Sequence, residues 1–321
     1  MVPPVLVLGN EAALTGRNLS TLATVLDLDM PVKIVVLADC DLGLTAGSGP
    51  AEPDELGSGW TGSLGEVGLL ALGQRRAYVT QCSLSEPAQL FQGLTEAFAH
   101  PGPALIRVHA PSPSRHGFPV REGLEQTRRA VLSRTFPLFR YDPTREGIFG
   151  ACLFLDGNPE PTGDWARDAE GVVRTAGDWA ATEGRFASEL SPVGPGTPEP
   201  TPLPEWIALP LHTRHGRTPF VPDPVVVGRR LAVSPRLAAV AEERLRTWRT
   251  LQELAGVVTP FTARVKELAE RELAGRHAAE LAALEARHAA ALAALRGEVE
   301  QDMAQRVREN LLELAGYGRG E

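Results

Sequence analysis

The sequence predicts an α/β fold with a parallel sheet, followed by an irregular connector and a long helical, coiled-coil-like tail. Three observations carry that prediction. Short aliphatic runs alternate with helix-like stretches over residues 1–143, proline and glycine crowd residues 144–235, and Ala, Leu, Glu and Arg dominate residues 236–321. These textures set the expected divisions of the chain.

The elements follow in order. PVLVLG is a continuous apolar run that reads as a strand, and a helical stretch follows at Asn18 to Leu26. VKIVVLAD is the second strand and AYVTQCSL the third; a helix at Pro87 to Ala99 leads to the strand ALIRVHAP. Strands that are apolar throughout, separated by helices, belong to a parallel sheet covered on both faces. In SPVGPGTPEPTPLPE the repeated proline forbids helix and ladder alike, so this stretch reads as a partly extended connector. Pro260 separates a helix near Arg236 to Leu254 from a long one at about Thr262 to Leu314. On the long helix Leu281, Leu284, His288, Leu292, Leu295, Val299, Met303 and Val307 recur at three- and four-residue steps and form one stripe. That stripe needs a cover: the preceding helix, a second copy, or a partner helix.

Composition excludes several classes. Apolar residues at 43% and charged residues at 22% are those of a soluble domain, with no run long enough to cross a bilayer. Met1 to Asn10 lacks the basic, apolar and small-residue pattern of a secretory signal, so a cytoplasmic chain is expected. Cys40, Cys82 and Cys152 are widely spaced with no CxxC pair, which gives no support to disulfides, zinc or an iron–sulfur cluster. A net charge of -8 argues against nucleic acid as a partner.

Ligands of such sheets bind at the carboxyl ends of the strands, reached on one edge through right-handed crossovers. Two loops qualify, LGNEAALTGRN and LADCDLGLTAGSG, although glycine and aspartate also make plain turns there. His109 and His116 flank a proline-rich turn and read as turn packing or as groups facing a carboxylate. His212 and His215, with Arg214 and Arg217, read as a solvated loop or an anion site. His277 and His288 are eleven residues apart, a coiled-coil spacing and not that of a helical metal pair. Ser83, Ser85 and Ser112 have no nucleophile-elbow context. Trp165, Trp179, Trp206 and Trp248 read as anchors that pin irregular chain to the domain.

The stretch HGFPVREGLEQTRRAVLSRTFPLFRYDP, from His116 to Pro143, resembles the closing segment of the thiamine-diphosphate domain of pyruvate:ferredoxin (flavodoxin) oxidoreductases. AYVTQCSLSEPAQLFQGLTEAF and GPALIRVHAP look like the strand–helix and strand that precede it in that family. The resemblance covers the first 140 to 190 residues and weakens through DWAATEGRF. It implies a thiamine-diphosphate-type sheet, N-terminally truncated because the chain starts eight residues before Gly9, with one flank exposed or completed by another chain. It implies oxidative decarboxylation of a 2-oxo acid, with partner subunits bringing the pyrimidine-binding and iron–sulfur domains, and no turnover by this chain alone.

Residue by residue, Gly9, Asn10 and Glu11 stand where the family has Gly-Asp-Gly, whose aspartate holds magnesium. Asp39 falls on a second metal-ligand position and Asp41 on one that offers a backbone carbonyl; Thr45 and Gly47 match part of the following Asn-Thr-Gly-Gly loop. The resemblance thus implies thiamine diphosphate at Gly9, Asn10, Glu11, Thr45 and Gly47 and magnesium at Asn10, Asp39 and Asp41, both weakened or lost. Asn10 keeps an oxygen but not the charge. Glu11 adds a negative charge beside a diphosphate, and like charges ~4 Å apart cost about 4 kcal/mol at an effective dielectric near 20, roughly three decades in affinity. Ser112 or Pro113 replaces the family's cluster-ligating cysteine, so no iron–sulfur cluster is anchored there. The alternative is a non-catalytic scaffold that assembles through its helical tail.

Overall fold

The computed structural model describes residues 3–11, 18–44 and 67–315. Strand β1 (Val5–Asn10) runs into helix α1 (Asn18–Leu26) and strand β2 (Val32–Ala38). After α2 (Val67–Gln74) come β3 (Tyr78–Ser83), α3 (Pro87–Ala99) and β4 (Ala104–His109). β1, β2, β4 and β3 lie side by side in that order and all run parallel. β2, β3 and β4 are almost wholly buried, as their unbroken apolar sequences require. β1 differs. Val5, Leu6, Val7 and Leu8 are 45% to 68% exposed, and among the described residues only β2 pairs with this strand.

The opposite flank is closed by antiparallel strands that the parallel pattern did not suggest. The short helix α4 (Pro113–His116) and α5 (Gly123–Leu132) lead to β5 (Phe139–Tyr141), and α6 (Phe149–Cys152) to β6 (Leu153–Phe154). β5 pairs antiparallel with β3, and β6 with β5. Arg140 of β5 bridges Glu96 at 2.5 Å and Asp156 at 3.1 Å, tying that flank to α3. Lys33 of β2 is 1% exposed; its Nζ donates to the carbonyls of His100 at 2.5 Å and Gly102 at 2.8 Å, which satisfies the end of α3.

The proline-rich stretch expected as an irregular connector carries secondary structure of its own. Residues 144–235 are folded onto the sheet and belong to one compact unit spanning Met1–Thr259. A two-stranded ladder of β7 (Ala166–Arg167) and β8 (Val173–Arg174) precedes helix α7 (Ala176–Ala180). A four-stranded sheet follows, of β9 (Leu190–Pro192), β10 (Pro200–Pro202), β11 (Thr218–Pro222) and β12 (Arg230–Val233), with α8 (Leu203–Ala208) between β10 and β11. Proline is tolerated here because these strands are three to five residues long and the ladders need few donors. Apolar side chains scattered through this stretch converge: Trp179, Phe186, Leu203, Ile207 and Val221 pack with Phe136 and Leu138 from beside β5.

Helix α9 (Pro235–Leu254) completes that core. Ser234 caps it, accepting from the amide of Leu237 at 3.1 Å, and Pro235 fills the first position. Leu237, Ala238, Ala241 and Leu245 face Trp179, while Trp248 and Leu251 reach the core beneath β2 and β3. Trp179 and Trp248 are the anchors expected of them, at 1% and 0% exposure, and Arg134 lies 4.0 Å over the Trp248 ring.

Helix α10 (Pro260–Leu314) is a second unit, 55 residues in one helix and so about 80 Å long. Its side chains are exposed along the described length. No helix among the described residues is long and apolar enough to cross a membrane.

Candidate functional site at the strand exits

β1 and β2 end beside one another, so Asn10, Glu11, Asp39 and Asp41 gather at one edge. Gly9 and Asn10 remain within β1, opposite Val36 and Leu37 of β2. Glu11 follows at once, and its carboxylate is ion-paired with Arg107 of β4. Both side chains are largely buried, at 13% and 5% exposure. Arg107 also donates to Gln81 of β3, whose own amide donates to the Pro137 carbonyl at 2.7 Å, and its guanidinium lies 5.5 Å from the Phe136 ring centre. Glu11 is thereby directed at an internal cation.

The β2 exit is a tight, left-handed turn. Cys40, Leu42 and Gly43 have φ of 55°, 58° and 65°. Arg185 holds this turn by donating from Nη2 to the carbonyls of Asp39 at 2.7 Å and Cys40 at 3.3 Å. The Asp39 carboxylate accepts from Arg115 at 3.4 Å. One carboxylate oxygen of Asp41 is buried without a hydrogen-bond partner. The Cys40 thiol is buried, and burial with the nearby Glu11 charge pushes its pKa well up, which disfavours the thiolate. Thr45 and Gly47 lie outside the described residues.

Behind these exits sits a buried group of histidines and charges. His109, at the end of β4, is fully buried, stacked at 5.1 Å on Phe136 and 6.5 Å from Trp179, and neither ring nitrogen has a partner. Burial, with Arg185 nearby, lowers its pKa to about 3. His116 closes α4; its Nδ1 accepts from the Ser112 amide at 3.3 Å and is 3.8 Å from Glu183. A nitrogen that accepts carries no proton, so the His116–Glu183 approach joins a neutral ring to a carboxylate and is not an ion pair. Burial and Arg185 lower the His116 pKa to about 4. Glu183 is held by Arg185 at 2.6 Å and Gln126 at 2.9 Å, and burial raises its carboxyl pKa. Gly117 brings the two segments together: at φ 76° it ends α4, and its carbonyl accepts from Gly184 at 3.2 Å.

The other candidates are accounted for structurally. Arg214 pairs with Glu242 at 2.9 Å and Arg217 with Glu199 at 2.8 Å, while His212 and His215 are exposed. Ser83 and Ser85 bond to each other at 2.9 Å. Arg107, Gln126, Glu183 and Arg185 escaped the sequence reading. The signal for Arg107 was present: it is a lone charge inside the apolar strand ALIRVH.

Over 122 residues the chain is 31% identical to the pyruvate-flavodoxin oxidoreductase of Rhodospirillum rubrum, a match covering 38% of this chain and 9% of that protein. Over 73 residues it is 32% identical to the ketoisovalerate oxidoreductase subunit VorB of Pyrococcus horikoshii, covering 23% of this chain and 24% of that subunit. The chain is a partial relative of the pyruvate:ferredoxin (flavodoxin) oxidoreductases. This oxidoreductase relative spans no more than about a quarter of the curated proteins it matches here. It is also 33% identical over 79 residues to the sulfite reductase [NADPH] subunit beta of Saccharomyces cerevisiae, 24% of this chain and 5% of that protein. No family model matches the chain.

The oxygens of Asn10, Asp39 and Asp41 are of the hard type that magnesium takes, and Asp41 has one oxygen to spare. Asp39 is engaged by Arg115, Glu11 is engaged by Arg107, and no group of three or more His, Cys, Asp or Glu among the described residues is placed to hold a metal.

Proposed function

We propose that this chain is a non-catalytic α/β module of the 2-oxo acid oxidoreductase type, which depends on partner subunits for any oxidative decarboxylation and holds thiamine diphosphate and magnesium weakly or not at all. One observation carries the reading: Glu11, on the position matching the family's cofactor turn, is spent on Arg107 inside the sheet. A carboxylate buried beside a guanidinium is held by an interaction that a diphosphate would have to displace. The Pyrococcus relatives named as subunits support the dependence on partners.

Titration calorimetry of the chain with thiamine diphosphate and magnesium tests this. The natural sequence is expected to show no micromolar binding. Glu11→Gly combined with Asn10→Asp removes the competing charge, releases Arg107 toward the exits and restores the aspartate. That double variant is expected to gain about a hundredfold or more in affinity. Micromolar binding by the natural chain would mean that Asn10, Asp39 and Asp41 form a working half-site.

A further inference from the structure

Helix α10 contains a duplication. Residues 276–286, RHAAELAALEA, return as RHAAALAALRG at residues 287–297. Eleven residues make three turns at about 3.67 residues per turn, so positions eleven apart stay on one line of the helix surface. Leu273, His277, Leu281, Leu284, His288, Leu292, Leu295, Val299 and Met303 follow along that line. Outward from His288 the steps are four, three, four and four in both directions. Every one of these side chains is exposed, the Leu, Val and Met members by 52% to 65%.

We propose that this stripe is covered by the same stripe of a second copy running the opposite way, forming an antiparallel two-fold coiled coil centred on His288. A closed two-fold interface must be complementary to itself. The symmetric spacing meets that demand: Leu284 comes level with Leu292 of the second copy, Leu281 with Leu295, His277 with Val299 and Leu273 with Met303. His288 meets its own counterpart at the axis, a single polar layer that fixes the register.

The charges beside the stripe fit the same arrangement. Toward the two ends of α10, Lys266–Glu270, Arg271–Glu267, Arg276–Glu272 and Arg306–Asp302 are paired within the helix. Among the described residues Glu285 and Arg296, which flank the stripe on one side near its centre, have no such pair. Helical side chains lean toward their own N-terminus, so in an antiparallel pair Glu285 of one copy and Arg296 of the other lean toward each other. A parallel pair would instead set Glu285 beside Glu280 of the second copy. The stripe runs for about 45 Å, and its core and flanking residues approach the roughly 20 residues a side of a stable interface.

The test is size-exclusion chromatography with light scattering on the full chain. A dimer of the 34.4 kDa chain is expected. Leu284→Glu is expected to weaken it by more than about a hundredfold, leaving a monomer with unchanged helix content by circular dichroism, because two charges enter the seam. Ala283→Glu, off the stripe, is expected to leave the dimer intact. A strictly monomeric natural chain overturns the proposal. Orientation is read by oxidative cross-linking, which the three buried native cysteines do not disturb. A mixture of His277→Cys and Val299→Cys chains is expected to cross-link, and His277→Cys alone is not, its two copies lying about 33 Å apart. Cross-linking of His277→Cys to itself overturns the antiparallel arrangement.

Discussion

Burial keeps both histidines at the β4 exit neutral in the folded chain, with pKa values near 3 for His109 and near 4 for His116. In the unfolded chain each titrates at about 6.5. As pH falls from about 6.5 toward 4, the unfolded state takes up protons that the folded state refuses, so these groups contribute stability above pH 6.5 that is lost in that window. Glu183, raised by burial, acts with the opposite sign. The comparison must therefore be between variants. His109→Phe keeps the stacking on Phe136 and is expected to flatten the fall in urea midpoint between pH 7 and pH 5; an unchanged slope would show that His109 is not the group responsible. This buried cluster was only half legible in the sequence. His109 and His116 stood out by residue type and by the proline turn between them. Glu183, Arg185 and Gln126 did not, because they meet the turn from 10 or more residues away and no periodicity records such contacts.

Among the elements, strands and helices with strong periods were legible and those with short ladders were not. β1, β2, β3 and β4 announce themselves as continuous apolar runs, and α3, α9 and α10 by their lengths and their prolines. β7 to β12 are two to five residues long, too short for any pattern to repeat, and their prolines argued for a loose connector. Tertiary packing overrode that local signal through side chains such as Trp179. Trp179→Ala is expected to destabilise the Met1–Thr259 unit by about 3–5 kcal/mol in urea unfolding, since it empties the centre of the shared core. A loss below about 1 kcal/mol would mean that residues 144–235 fold independently of the sheet. Gly117→Ala would place a methyl 3.0 Å from the Gly184 backbone at φ 76°, and about 1–3 kcal/mol of destabilisation is expected by the same measurement.

At the scale of the whole molecule, the chain resembles oxidoreductases over part of its length, and α10 carries a continuous exposed apolar stripe. The proposed division of labour makes a direct prediction for the purified chain. With pyruvate and coenzyme A it is expected to reduce neither ferredoxin nor a viologen dye, and measurable reduction would overturn the non-catalytic reading. The likeness itself was legible because the stretch from Ala77 to Pro143 keeps several long motifs in order. The role of Glu11 was not, since its partner Arg107 lies 96 positions away.

Lys33 gives the molecule an unusual chemical identity. The sequence has only two lysines, Lys33 and Lys266, the remaining basic residues being arginine. Lys33 is sealed under the end of α3 with its amine on two carbonyls, and burial lowers its pKa. Lys266 is 78% exposed on α10. Among its lysines the folded protein therefore offers an acylating reagent one reactive side chain, Lys266 on the helical unit, while Lys33 within the sheet stays unmodified.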